Sequence, residues 1–353
     1  METTNGANML KEISEIQVSL INTLSSFKNK LNYKLPSNFY EMFNRIHIIA
    51  CGTSYHSGLA GKILIEKQLN IPCDLTLAHE FSEATHFISS STLYIFISQS
   101  GKTTDVLKAF DIICKYQLRS LAITNNENSI LNKRATYYLS LKAGEELAVA
   151  STKAFNCQIL AFMIFNEYIK SKTIAHFNKF INKQINTIKK GKFESLKLEE
   201  IKDLSNLISN YKTIYFAGSG FDYVLAKESA LKIKETCYIN TIAIPTMEIP
   251  HGTMAVYDNN SLVIIINNQL SNINNTTSIV NKIKETGAKV VLVSSLSKKH
   301  YKCNYDVFIQ TPKLSNTLKL CASIIPFQYL AYHTSLKLGN NPDNPRMLTK
   351  AVI

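Results

Sequence analysis

The stretch KESALKIKE (227–235) carries Glu228, Lys232 and Glu235 at positions i, i+4 and i+7. That spacing puts all three on one face of a helix. A carboxylate beside an ammonium can move a proton between adjacent carbons, although the same residues would also form a solvated ion-pair stripe. A second cluster is made of hydroxyls: in FISQSGKTTDVL (96–107) an apolar strand runs into Ser98, Gln99, Ser100, Gly101 and Thr103. A loop that follows a parallel strand and opens a helix turns its N–H groups toward an anion, and the helix dipole adds to their pull. Gly101 lets the backbone approach closely. The loop reads as a phosphate cradle, with an ordinary helix N-cap as the competing reading. It is not a P-loop, because G-x-x-x-x-G-K-[ST] is absent.

ACGTSYHSG (50–58) is the analogous turn after an earlier strand, where Gly52, Thr53 and Ser54 either line the same crevice or cap the helix. Cys51 is expected as a buried thiol at the strand end. His251 sits between Pro250 and Gly252 in TMEIPHGTMAV and is expected in a loop, as an acid–base candidate or a structural histidine. HEFSEATH (79–86) spaces its histidines seven apart, which does not fit H-E-x-x-H, so no metal is expected there. Lys350, in the tail NPDNPRMLTKAVI stiffened by Pro342 and Pro345, gains chemical interest if the tail folds over a site.

These residues need elements to hold them. Short β-rich runs at 46–51, 93–98, 120–124 and 137–141 alternate with helical patterns near 54–69, 102–116 and 151–170. Such alternation is the pattern of βαβ units and a parallel sheet. The second half repeats the scheme. Residues 213–235 echo 45–67, 261–272 echo 92–103, and 287–295 echo 118–126. The fold class expected is α/β, with two tandem doubly wound parallel sheets. The expected division is an N-terminal helical segment 1–35, a first subdomain 36–172 with the anion loop, and a helical linker 173–210. A second subdomain 211–340 and a C-terminal tail 341–353 that closes the site follow. The repeat fails at one place. NNQLSN (267–272) replaces the hydroxyl loop, so one anion site per chain is expected.

Composition excludes several classes. With 353 residues, 45% of them hydrophobic, the chain can bury one large core or two ordinary ones. The net charge of +13 is spread over lysines along the chain, with one short cluster, KKGK, at 189–192. That is the distribution of a solvated surface rather than a nucleic-acid patch. Seven cysteines, an odd number with no C-x-x-C pair, fit reduced thiols in a cytosolic protein, not a disulfide scaffold or zinc site. The polar start METTNGANMLKEI is not a signal peptide, and runs such as LVIIIN (262–267) are too short to span a membrane.

Six motifs in order, CGTSYHSG, ISQSGKTTDVL, AGEELAVASTKAF, KESALKIKE, EIPHG and PRMLTKAV, resemble the isomerase domain of glutamine–fructose-6-phosphate aminotransferase. That domain is a pair of sugar-isomerase (SIS) subdomains, and the resemblance runs from about residue 9 to the end. It implies that Ser98, Gln99, Ser100 and Thr103 hold a sugar 6-phosphate, while Ser54, Val149, Ala150 and Ser151 contact the sugar. It implies that Glu235 moves the proton between C1 and C2, assisted by Lys232. His251, from the neighbouring subunit of a homodimer, would open the ring, and Lys350 would form a Schiff base at C2. No metal or redox cofactor is implied. The family's glutaminase domain has no counterpart, since no cysteine precedes Cys51. Glutamine hydrolysis is therefore not expected, and ammonia would come from solution or a separate glutaminase. Lys102 stands where the family often has Glu, EIPHGT replaces ELKHGP, and KAVI is shorter than KSVTVE. KETC (235–237 with Lys234) resembles stand-alone aminosugar-phosphate deaminases. A catabolic deaminase and a non-catalytic phosphosugar-binding regulator are the two other functions considered.

Overall fold

The computed structural model describes residues 5–28, 35–36, 38–83, 88–190, 198–312, 314 and 318–350. His86 and the last three residues of the KAVI tail lie outside them, as do residues 191 and 192 of the KKGK cluster. The chain forms two compact units. One comprises Ser14–Glu146, Ser151–Lys190 and Thr349–Ile353; the other comprises Met1–Ile13, Leu147–Ala150 and Gly191–Leu348.

The first unit contains strands β1 (Arg45–Ala50), β2 (Cys73–Leu77), β3 (Thr92–Ile97), β4 (Ser120–Thr124) and β5 (Tyr137–Ser140). They form one sheet in the order β2-β1-β3-β4-β5, every pair parallel. β3 and β4 are buried at every position, as continuous apolar strands covered on both faces should be. One face packs Ile49, Tyr94, Phe96 and Ala122 against Phe81, Phe110 and Ile113. The other receives the helices Gly52–Leu69 and Lys153–Lys170, which approach closely because Gly61 has no side chain. A Cβ there would lie 2.6 Å from the Phe162 ring.

The second unit contains β6 (Thr213–Gly218), β7 (Asn240–Pro245), β8 (Leu262–Ile266), β9 (Lys289–Ser294) and β10 (Val307–Gln310). Their order, β10-β9-β8-β6-β7, is again wholly parallel and has the same topology as the first sheet. The expected α/β repeat is therefore present, sheet for sheet. Its core joins Tyr215, Ala217, Val263 and Ile265 to Ile279, Val280 and Ile283 of the helix Ile273–Glu285. Residues 174–210 hold the helices Ile174–Lys190 and Leu198–Ile208, each burying an apolar stripe (Phe177, Ile181 and Ile188; Ile201, Leu204 and Ile208). Among the described residues, no helix is long and apolar enough to cross a membrane.

In this topology the strand order reverses between β1 and β3, and again between β6 and β8. The loops at those carboxyl ends diverge and leave a crevice, the usual ligand position of open parallel sheets.

Candidate active site

In the first unit the crevice between β1 and β3 is lined by the two turns singled out above. β3 ends at Ile97, and the helix Thr104–Lys115 does not begin until after Thr103, so Ser98–Thr103 stay as loop. Ser98 is buried, and its Oγ accepts the Gly101 N–H (3.0 Å) and pairs with Thr103 Oγ1 (2.9 Å). That pair shares one hydroxyl hydrogen and leaves the other to donate elsewhere. Ser100 Oγ accepts the Lys102 N–H at 3.2 Å, and the Gln99 carbonyl accepts from Asn125 N (3.0 Å). Gly101 takes φ +64°. Thr103 occupies the N-cap position, yet its side chain makes no capping bond. Thr103 is thus not a helix cap, while Ser98 and Ser100 satisfy backbone N–H groups within the loop itself.

The helix starts at Gly52 behind Cys51, which is half-buried rather than buried as expected and whose side chain makes no capping bond. Ser54 Oγ instead accepts from Gln158 Nε2 (2.9 Å), while Ser57 Oγ donates to Gln158 Oε1 (2.8 Å). Gln158, buried on the helix Lys153–Lys170, was not singled out from the sequence; its amide fixes both serines of the facing helix.

The same unit holds Lys350. Its Nζ lies 2.8 Å from Glu146 Oε2, and the Glu146 side chain is wholly buried. Ser151 Oγ donates to the same oxygen (3.0 Å); Thr152 N and Ala154 N donate to Oε1 (2.8 and 3.2 Å). Burial pushes the Glu146 carboxyl up, but the Lys350 ammonium and the two N–H donors outweigh it and hold the group below the usual carboxylate range. Glu146 also escaped the sequence reading. It stands beside Glu145 in AGEELAVAST, and nothing in the letters tells the buried carboxylate from its exposed neighbour.

The other unit carries the remaining candidates. On the helix Phe221–Cys237, Lys232 Nζ lies 2.6 Å from Glu235 Oε2 and 3.4 Å from Glu228 Oε1. Lys232 and Glu228 are 1% and 0% exposed, whereas Glu235 keeps 22%. This is a buried ion triad with one accessible carboxylate, not a solvated stripe. His251 is exposed and ends a 3₁₀ turn, Thr246–His251, with Pro250 inside it; the expected loop is thus a short helical turn followed by Gly252 at φ +132°. Val149 N donates to the Asp343 carbonyl (3.0 Å), and Ala150 is buried. Ser98 with Thr103 and Lys232 with Glu235 are candidate pairs in direct contact, and Ser151 and Lys350 meet through their shared partner, Glu146 Oε2.

The second sheet shows why the anion loop occurs once. Ile46 pairs with Leu93 and Ile214 with Leu262, so equal counts along the chain match Ser54 to Asp222, and Ser98–Ser100 to Asn267–Gln269. The buried Asp222 carboxylate accepts from Asn268 N (2.9 Å), Asn268 Nδ2 (2.7 Å) and Gln269 Nε2 (3.3 Å). A buried carboxyl side chain thus holds the loop that replaces the hydroxyl cradle in this sheet. Burial raises the Asp222 carboxyl, against the pull of the Asn268 and Gln269 donors and Lys319.

Comparison with known proteins was made against this geometry. The SIS domain family matches residues 42–167 and 207–338, one match per sheet. The chain belongs to the SIS-domain family. Over 355 residues it is 34% identical to the glutamine–fructose-6-phosphate aminotransferase [isomerizing] of Clostridium tetani, covering 98% of this chain and 58% of that protein. It spans well under two thirds of the length of the curated relatives it matches. Among solved structures, it is similar to the C-terminal domain of glucosamine-fructose-6-phosphate aminotransferase from Francisella tularensis. That likeness has a TM-score of 0.86 and 30% identity, and covers 96% of this chain and 98% of that one. The resemblance carried by the six motifs is borne out. A glucosamine-6-phosphate deaminase from Thermotoga maritima shares the tandem SIS fold at TM-score 0.73 and 21% identity.

Proposed function

We propose that this SIS protein is a phosphosugar isomerase of the aminotransferase type. It interconverts fructose 6-phosphate with glucosamine 6-phosphate, given ammonia, or with glucose 6-phosphate. The observation that carries this reading is Lys350: an amine near the end of the chain, partly exposed, seated on a buried carboxylate in the unit that holds the hydroxyl loop. In this reading Ser98, Gln99, Ser100 and Thr103 grip the phosphate, whose binding energy orients the reacting end of the sugar. Ser54, Val149, Ala150 and Ser151 contact the sugar hydroxyls. The Lys350 amine attacks the C2 carbonyl carbon and water leaves; ammonia then adds at C2 and displaces the Lys350 amine, and the resulting ammonia-derived imine acidifies the C1 proton. Glu235, the accessible carboxylate of its triad, moves that proton between C1 and C2, with Lys232 as its ionic partner. His251 opens the ring, supplied across the twofold of a homodimer.

The same groups run the reaction backward, so a catabolic deaminase is the second reading; KETC favours keeping it. The deciding experiment offers glucosamine 6-phosphate and fructose 6-phosphate to the purified chain, reads ammonia and product sugars, and repeats both with Lys350→Ala. Turnover lost in Lys350→Ala is the expected result. Tight sugar-phosphate binding with no turnover in either direction would replace both enzyme readings with a binding regulator.

A further inference from the structure

We propose that Glu146 is the positioning residue for Lys350, holding the amine on a rigid helix start before the sugar arrives. This rests on the reading of Lys350 as the imine-forming amine. Its support is geometric. The two oxygens of Glu146 have divided tasks: Oε1 takes the N–H groups of Thr152 and Ala154, and Oε2 takes the Ser151 hydroxyl and the Lys350 ammonium. Oε1 thereby fastens the carboxylate to the first turn of the helix Lys153–Lys170, whose residues 153–166 are all buried. Oε2 fastens to it a lysine 204 residues away in sequence. The Cys157 thiol feels the charges of both this carboxylate and Lys153. Lys153 Nζ is engaged by Glu15 at 2.6 Å, so it does not displace Lys350. Cys157 is buried, and burial pushes its thiol up to about 12, so it adds no charge.

A long lysine side chain loses rotamer freedom when it is held for attack. Here the ion pair meets that cost in advance, and the shared Oε2 keeps the amine beside Ser151, a proposed sugar contact. In the covalent step the ammonium first gives one proton to solvent. The Nζ lone pair then bonds C2, the carbonyl oxygen leaves as water with the two remaining nitrogen protons, and the C=N bond forms. Glu146 forms no covalent bond; it aims the nitrogen.

The test is borohydride trapping of the full chain with fructose 6-phosphate, in which hydride reduces the imine carbon and leaves a sugar adduct on Lys350 for mass mapping. Steady-state kinetics accompany it. Glu146→Gln is expected to slow trapping and kcat on the order of 100-fold, the scale of a misplaced reacting group. KM should stay within about twofold, because the phosphate grip is untouched. Glu146→Asp should recover part of the rate, which a role in stability alone would not predict when both variants are fully folded at the assay temperature. Trapping at the wild-type rate in Glu146→Gln overturns the inference alone. No trapping in the wild-type chain overturns the Schiff-base reading and this inference with it. Should Glu146→Gln fail to fold, Glu146→Asp decides: slowed trapping supports the inference and an unchanged rate overturns it.

Discussion

Gly101 sits where any other residue is doubly penalised. Its φ is +64°, and a Cβ would fall 2.4 Å from Ser129 Cβ and Oγ. Ser129 Oγ caps the helix Ile130–Arg134 by accepting Asn132 N. Gly101→Ala therefore adds left-handed strain of about 1–2 kcal/mol and disturbs a cap worth about 1 kcal/mol. Urea unfolding should show a loss of about 2–3 kcal/mol by the same two terms, and calorimetry should show weakened fructose 6-phosphate binding. Glu146 makes a pH prediction. Its folded carboxyl lies below the unfolded range, so the folded state holds its charge where the unfolded chain has taken up a proton. The stability this adds is complete above the unfolded value, about 4.3, and is lost as pH falls through the folded value. The melting temperature of Glu146→Gln should thus converge on that of wild type in acid. Residue types announced the hydroxyl loop and the Glu–Lys–Glu spacing. They could not announce Glu146 or Gln158, because burial and partner choice depend on chain segments far apart in sequence.

At the scale of elements, the helix Ala7–Ser14 shows how distant residues complete local structure. Its first turn contains no acidic residue. Asp343, from the proline-rich tail motif, accepts Asn8 N (3.0 Å) and Met9 N (2.7 Å) and supplies the missing cap. Asp343→Ala is expected to cost about 1–2 kcal/mol, read as a lowered denaturation midpoint with an unchanged m-value. The central strands were legible because parallel, doubly covered strands are unbroken apolar runs. β2 was not: CDLTL is a short, half-buried edge strand whose polar residues interrupt the run. The His251 segment read as loop because Pro and Gly signal a turn without saying whether it coils; it folds as a 3₁₀ turn.

For the whole molecule, the internal repeat was the most informative reading, since it predicted two sheets of one topology before either was seen. The oligomer proposal belongs here too. In the segment of chain that carries exposed His251, Ile242, Met247 and Val256 are 39%, 46% and 59% exposed, apolar surface of the kind a second copy would cover. Sedimentation should give a dimer. Mixing inactive His251→Asn and Lys350→Ala chains should restore about one quarter of the activity, since half of the mixed twofold dimers carry one intact site; no recovery after exchange would exclude shared sites.

The interleaving of the two units bears on how the protein can be dissected. The second-sheet unit draws on residues before Ser14 and on Leu147–Ala150, where Glu12 receives Leu147 N and Ala148 N and the Asp343 carbonyl receives Val149 N. A gene fragment starting at residue 198 would encode the complete sheet and still lack these pieces. The two SIS copies, plain as a tandem duplication in the letters, are no longer separable by a single scissor cut. Fragments 5–190 and 198–350 should fold together, as a complementing pair, far better than either does alone.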